Sequence, residues 1–113
     1  MRDDLLAWQW ATYAGFHRSR ANLILHGVAV PLFLLGTVAL LAAPFLDARL
    51  ALGGVAMALS LALQGRGHRG EPSAPIPFDG PLDALSRLFV EQWVSFPRFV
   101  LSGGFSAAWR RAR

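Results

Sequence analysis

The stretch from residue 21 to residue 46, ANLILHGVAVPLFLLGTVALLAAPFL, contains no Arg, Lys, Asp or Glu. At about 1.5 Å of rise per residue, a helix of this length crosses a hydrocarbon layer of about 30 Å. Pro44, Asp47 and Arg49 then make a short polar break, and residues 50–65 are again free of Asp, Glu and Arg. This second run is slightly short for a clean span, a mismatch that a locally thinned bilayer or snorkelling Arg flanks would absorb. The pattern predicts a membrane hairpin with arms at 20–46 and 48–65. A pair of core helices in a soluble bundle is the competing reading; the length of the first run favours the membrane.

Working outward from the hairpin, Asp3 and Asp4 are candidate caps for a helix over 4–17 that carries Leu5, Leu6, Trp8, Trp10, Tyr13 and Phe16. Two Trp and a Tyr in so short a helix predict an interfacial position. Ser19 is a candidate N-cap for the first membrane arm and marks a place for the chain to change direction. Beyond the second arm, residues 66–81 are rich in Gly and Pro and predict a loop. Residues 82–109 predict amphipathic C-terminal helices. Leu85, Leu88, Phe89, Trp93 and Phe96 share one face there, and Asp83, Arg87 and Glu91 recur every fourth residue on the other. The expected fold is therefore all-α: a single integral membrane helical bundle over 1–113, with a two-helix hairpin and interfacial helices on either side.

Composition agrees. Of the 113 residues 54% are hydrophobic, which points away from an ordinary soluble domain, and the absence of cysteine excludes disulfides and thiolate metal sites. The net charge of +4 comes from 11 basic residues, all Arg. They flank the apolar runs rather than line one polar helix face, so the charge predicts no nucleic-acid partner. Arg18, Arg20, Arg66 and Arg69 gather at the open end of the hairpin, whereas its turn holds Arg49 beside Asp47. The positive-inside rule then places both termini in the cytoplasm. The expected location is the inner membrane of a bacterium or the endoplasmic reticulum of a eukaryote.

The hairpin also gathers polar residues. His26 and His68 lie at similar distances from the turn, so antiparallel arms bring them to similar depth. Asn22 and His26 share one face of the first arm, and Gln64 and His68 share one face of the second. His17 and His26 would point to opposite sides of one straight helix, so His17 joins them only if the chain bends at Arg18–Ser19. Ionisable groups inside an apolar segment are rare and usually functional. Three neutral imidazoles suit Fe, Zn, Cu or Ni. Asn22 and Gln64 are candidates either for orienting a ligand from behind or for hydrogen-bonding between helices. Glu71 is a candidate ligand or base, or else a loop carboxylate paired with Arg69.

The segment from Tyr13 through His17, Asn22 and His26 to Pro31 resembles the motif H-x4-N-x3-H followed by Pro. Gln64-Gly-Arg-Gly67-His68, with Glu71 and Pro75 after it, resembles Q-x2-G-H followed by Glu and Pro. These motifs, spanning about residues 13–76, are similar to those of the 2-hydroxy fatty acid dioxygenase family, which includes the fungal protein for metabolism of phytosphingosine to odd-numbered fatty acids. Glu71 follows His68 by three residues where many members have four. Ile76 stands after Pro75 where Ala is usual. The resemblance implies Fe(II), with His17, His26 and His68 as metal ligands or their close partners and, with Glu71, as the catalytic group. It also implies O2-dependent shortening of a long-chain 2-hydroxy fatty acid by one carbon. Arg66 or Arg69 would then hold the substrate carboxylate by paired hydrogen bonds. Two other expectations stand beside this one: a non-enzymatic membrane adaptor or lipid-binding protein, and a bis-His haem protein using His26 and His68.

Overall fold

The computed structural model describes residues 3–112, and among these there is helix but no strand. Helix α1 (Leu5–Tyr13) runs into a 3-10 turn (Ala14–Phe16), and the chain then breaks at His17–Ser19 before α2 (Arg20–Ala42). A second 3-10 turn (Ala48–Leu52) leads into α3 (Gly53–Arg69). Next come an extended strap, α4 (Pro81–Val90), a π-helical turn (Glu91–Ser95), α5 (Phe96–Leu101) and α6 (Gly104–Arg111). Ser19 caps α2 as expected, its Oγ accepting from Asn22 N at 3.4 Å. Asp4 precedes α1 without a side-chain cap bond.

Helices α2 and α3 form the antiparallel hairpin. Arg20–Ala42 has a mean hydropathy of 2.2 and Ala48–Arg69, counted with its 3-10 lead-in, 1.3; both are long and apolar enough to cross a membrane. The second arm is longer than the break at Gly65 predicts. It continues through Arg66, Gly67 and His68 to Arg69, because Gly67 rests directly on Asn22, where a Cβ would collide with the amide. Bare backbone is what this contact requires, so the glycine keeps the helix going rather than ending it. Arg66, His68 and Arg69 in the last turn also suit the negative end of the helix dipole.

Near the other end the arms touch backbone to backbone. A Cβ on Gly36 would lie 2.6 Å from the carbonyl oxygen of Gly53, and one on Gly53 would meet the carbonyl of Gly36. Close approach through small residues is how apolar helices gain contact where the hydrophobic effect does not draw them together. Gly36→Ala is therefore expected to push the arms apart and cost about 1–3 kcal/mol. Thermal unfolding in detergent would register this as a lower midpoint, whereas an unchanged midpoint would mean the contact is slack.

Helix α4 sits the opposite way round from a helix of a water-soluble protein. Its polar row faces inward: Asp83 is 4% exposed and accepts from Asp79 N, and Arg87 donates to the carbonyls of Ile76 and Pro77. On the other side Leu85 is 56% and Phe89 39% exposed, Phe89 also lying edge-on to Phe33, and Trp93 of the π-turn is 45% exposed. Polar groups turn inward because their partners are there, and the outward apolar face continues that of the hairpin, where Ile24, Val28, Leu35, Leu41, Val55 and Leu59 are also exposed. The core proper lies at the other side of α2, where Leu23 and Val30 pack with Tyr13, Phe96, Phe99 and Ala108.

Candidate metal centre

The break between α1 and α2 is built by one carboxylate. Glu71, just past the end of α3, accepts from Arg18 N at 2.7 Å, Ser19 N at 2.9 Å and Asn22 Nδ2 at 2.8 Å. The first two are backbone donors next to a helix start, where no intrahelical carbonyl serves them. The bend that His17 needs is thus present, and Glu71 is spent on holding it.

With the chain bent, the three imidazoles converge. Ring centroids of His17 and His26 are 4.7 Å apart, those of His17 and His68 4.9 Å, and those of His26 and His68 4.8 Å. A fourth group arrives from the π-turn: Glu91 Oε2 lies 3.6 Å from His17 Nε2 and 3.5 Å from His26 Nε2. One nitrogen from each histidine and one Glu91 oxygen all fall within 4.8 Å of one another, a set that could hold a metal ion. His17 and His26 are buried, and Glu91 is largely so.

The donor chemistry fits a cation. His17 Nδ1 donates to Tyr13 O at 2.7 Å and His26 Nδ1 donates to Asn22 O at 3.1 Å. Both rings thereby present Nε2 with its lone pair free, as metal-bound imidazoles held from behind do. Those two Nε2 atoms and His68 Nδ1 are buried without a hydrogen-bond partner. A buried polar atom left unsatisfied costs about 1–3 kcal/mol, and a divalent ion held beside Glu91 would satisfy the two Nε2 atoms that face it. The carboxylate suits the same role. Burial opposes its charge, but positive charge at the facing histidines, whether protons on their Nε2 atoms or a cation between them, outweighs that and holds the Glu91 carboxyl below its usual range. Tyr13 is shifted the other way, kept protonated first by burial and then by the neighbouring Glu91. The His26 and His68 rings meet edge to face, 4.8 Å between centroids, in the same cluster as His17 and Glu91.

Behind the cluster runs a polar ladder. Gln64 and Gln92 exchange two hydrogen bonds of 2.8 Å, Gln64 also donates to Ser60 Oγ at 3.0 Å, and Ser60 donates to the carbonyl of Ala29. Gln9 bonds Ser95 and donates to Arg87 O at 3.0 Å. Gln64 is therefore tied to the π-turn rather than to His68, and Asn22 to Glu71. The π-turn accounts for the geometry here: its wider spacing lets the consecutive residues Glu91 and Gln92 both reach inward.

A cleft of about 790 Å³ opens onto the cluster. His17, His68 and Glu91 lie along it, and Trp8, Leu61 and Leu88 are among its apolar walls. One wall is the strap, anchored at Glu71 and again by Arg87, whose guanidinium also lies 4.5 Å over the Phe78 ring. Arg69 is on the lining; Arg66 is exposed on α3 and outside it. No protein-family model, no curated protein and no solved structure matches the chain.

Proposed function

We propose that the protein is a membrane-embedded, iron-dependent dioxygenase that shortens a long-chain 2-hydroxy fatty acid by one carbon. The observation that carries the proposal is the set of three unpartnered imidazole nitrogens and one carboxylate at the end of an apolar cleft. The motifs around His17, Asn22, His26, Gln64 and His68 add the substrate class by resemblance. A mixed nitrogen and oxygen donor set is one that non-haem Fe(II) accepts. Iron held there would supply activation of O2 and a Lewis acid for the hydroxy acid.

The chain's own residues do the rest. His17 and His26 keep their Nδ1 protons on backbone carbonyls and so fix the direction of Nε2. Glu91 brings a negative charge to the centre and offsets that of a cation. Trp8, Leu61 and Leu88 exclude water along the cleft and offer an acyl chain an apolar bed. Arg69, at the lining, would receive the substrate carboxylate. The outward apolar faces of the hairpin and α4 would rest against lipid, with the Arg-rich end at the cytoplasmic face.

Metal analysis of protein purified in mild detergent tests the reading, together with O2 consumption on 2-hydroxy fatty acids. About one iron per chain and O2 uptake that disappears in His68→Ala are expected. A protein that carries no iron, natively or after reconstitution, overturns the proposal. So does an iron-loaded protein that consumes no O2 with any chain length of hydroxy acid.

A further inference from the structure

Tyr13 touches two of the four donors at once, through three different parts of the same residue. Its hydroxyl donates to Glu91 Oε2 at 2.9 Å, the same oxygen that faces His17 and His26. Its backbone carbonyl receives the His17 Nδ1 proton at 2.7 Å. Its ring stacks on the His17 imidazole with centroids 4.0 Å apart and planes 16° from parallel. The residue itself is 3% exposed and wedged edge-on against Phe99 in the core, with centroids 5.0 Å apart.

From these contacts we propose that Tyr13 is the positioning residue of the metal centre, fixing through its hydroxyl which way the Glu91 carboxylate presents Oε2. The inference rests on the reading of His17, His26, His68 and Glu91 as a metal site. Glu91 has two torsions beyond Cβ and no helix partner at its head, so without a donor its carboxylate is free to rotate. The hydroxyl removes that freedom by occupying one lone-pair direction of Oε2 and leaving another directed at the imidazoles. The ring and carbonyl hold His17 independently of the hydroxyl. Tyr13→Phe therefore separates the two jobs: it keeps the stack, the carbonyl and the core contact, and it deletes only the bond to Glu91.

The test uses the full chain in detergent, with Co(II) as a spectroscopic probe, in four forms: the natural chain, Tyr13→Phe, Glu91→Ala and the double variant. The natural chain should bind Co(II) with a resolved ligand-field spectrum. Tyr13→Phe should bind it about 10- to 100-fold more weakly, the usual effect of removing a group that orients a metal ligand, and with an altered spectrum. In the Glu91→Ala background the same substitution should add little, because the bond it removes is already gone. If Tyr13→Phe leaves affinity and spectrum as they are, the positioning role is overturned while the metal site stands. Independent, multiplying losses in the double variant overturn it equally, since the hydroxyl would then act elsewhere than through Glu91. A natural chain that takes up no Co(II) and no Fe(II) overturns the metal site itself, and the role of Tyr13 with it. Circular dichroism melts of each form separate loss of fold from loss of ligand geometry.

Discussion

His26→Ala is expected to abolish metal-dependent stabilisation. His26 is fully buried inside α2, and its Nε2 has no partner besides what the cluster can hold. An ion that binds only the folded chain stabilises it by about 2.7 kcal/mol when free metal stands about 100-fold above Kd. For a chain of this size that is a rise in melting temperature on the order of 10 °C. The natural protein should lose the increment on addition of a chelator and regain it on reloading. His26→Ala removes one donor and opens a space beside the others, so its melting temperature should be the same with metal and with chelator. A variant that still gains from metal as the natural chain does would show that the ion binds elsewhere.

Glu71→Ala should destabilise the protein by about 3 kcal/mol, more than a loop carboxylate ordinarily would. Each hydrogen bond to a charged acceptor contributes about 1.5–3 kcal/mol, and Glu71 receives three. Arg18 N lies near solvent and finds water when the carboxylate is gone, so the three do not simply add. Ser19 N and the Asn22 amide are more enclosed. Glu71→Gln should fall between the two, because an amide offers one acceptor oxygen and turns a donor toward backbone donors. Loosening the bend frees His17, so metal affinity should drop along with stability. Chemical unfolding combined with Co(II) titration reads both. Loss of activity in Glu71→Gln with stability and metal affinity intact would instead mark Glu71 as a base in the chemistry.

The hairpin and the meeting of the histidines could be read from the sequence because each depends on local spacing. Charge-free runs mark the arms, and antiparallel arms bring His26 level with His68 whatever the side chains do in detail. The bend before Ser19 was legible for the same reason, since a cap residue announces a helix start. Glu91 was not. With Asp83 and Arg87 it forms a four-residue repeat that describes a polar face, and a polar face in water points outward. Only the partners supplied by Tyr13, the strap and the imidazoles turn that face in, and these come from distant parts of the chain. The end of α3 was missed on similar grounds. Gly65 and Gly67 weaken an isolated helix, but the contact of Gly67 with Asn22 is one that only glycine allows. Glu71 stood out as a carboxylate close to His68, and nothing local tells that its oxygens point at the backbone of residues 18 and 19.

The π-turn at Glu91–Ser95 places one surplus residue between two parts of the chain that answer to different masters. Phe96 and Phe99, after it, are set by the apolar core; Asp83, before it, and Glu91, its first residue, are set by polar partners. Each residue of an α-helix turns the chain by about 100°. Deleting one residue within the turn would restore regular α-helix and leave the aromatic residues in place, but swing Glu91 away from the histidines by roughly that angle. The carboxylate is thus held in phase with the imidazoles by a count of residues rather than by its own packing. A lineage could gain or lose the fourth donor through a single-codon insertion or deletion, without altering any residue that touches the centre.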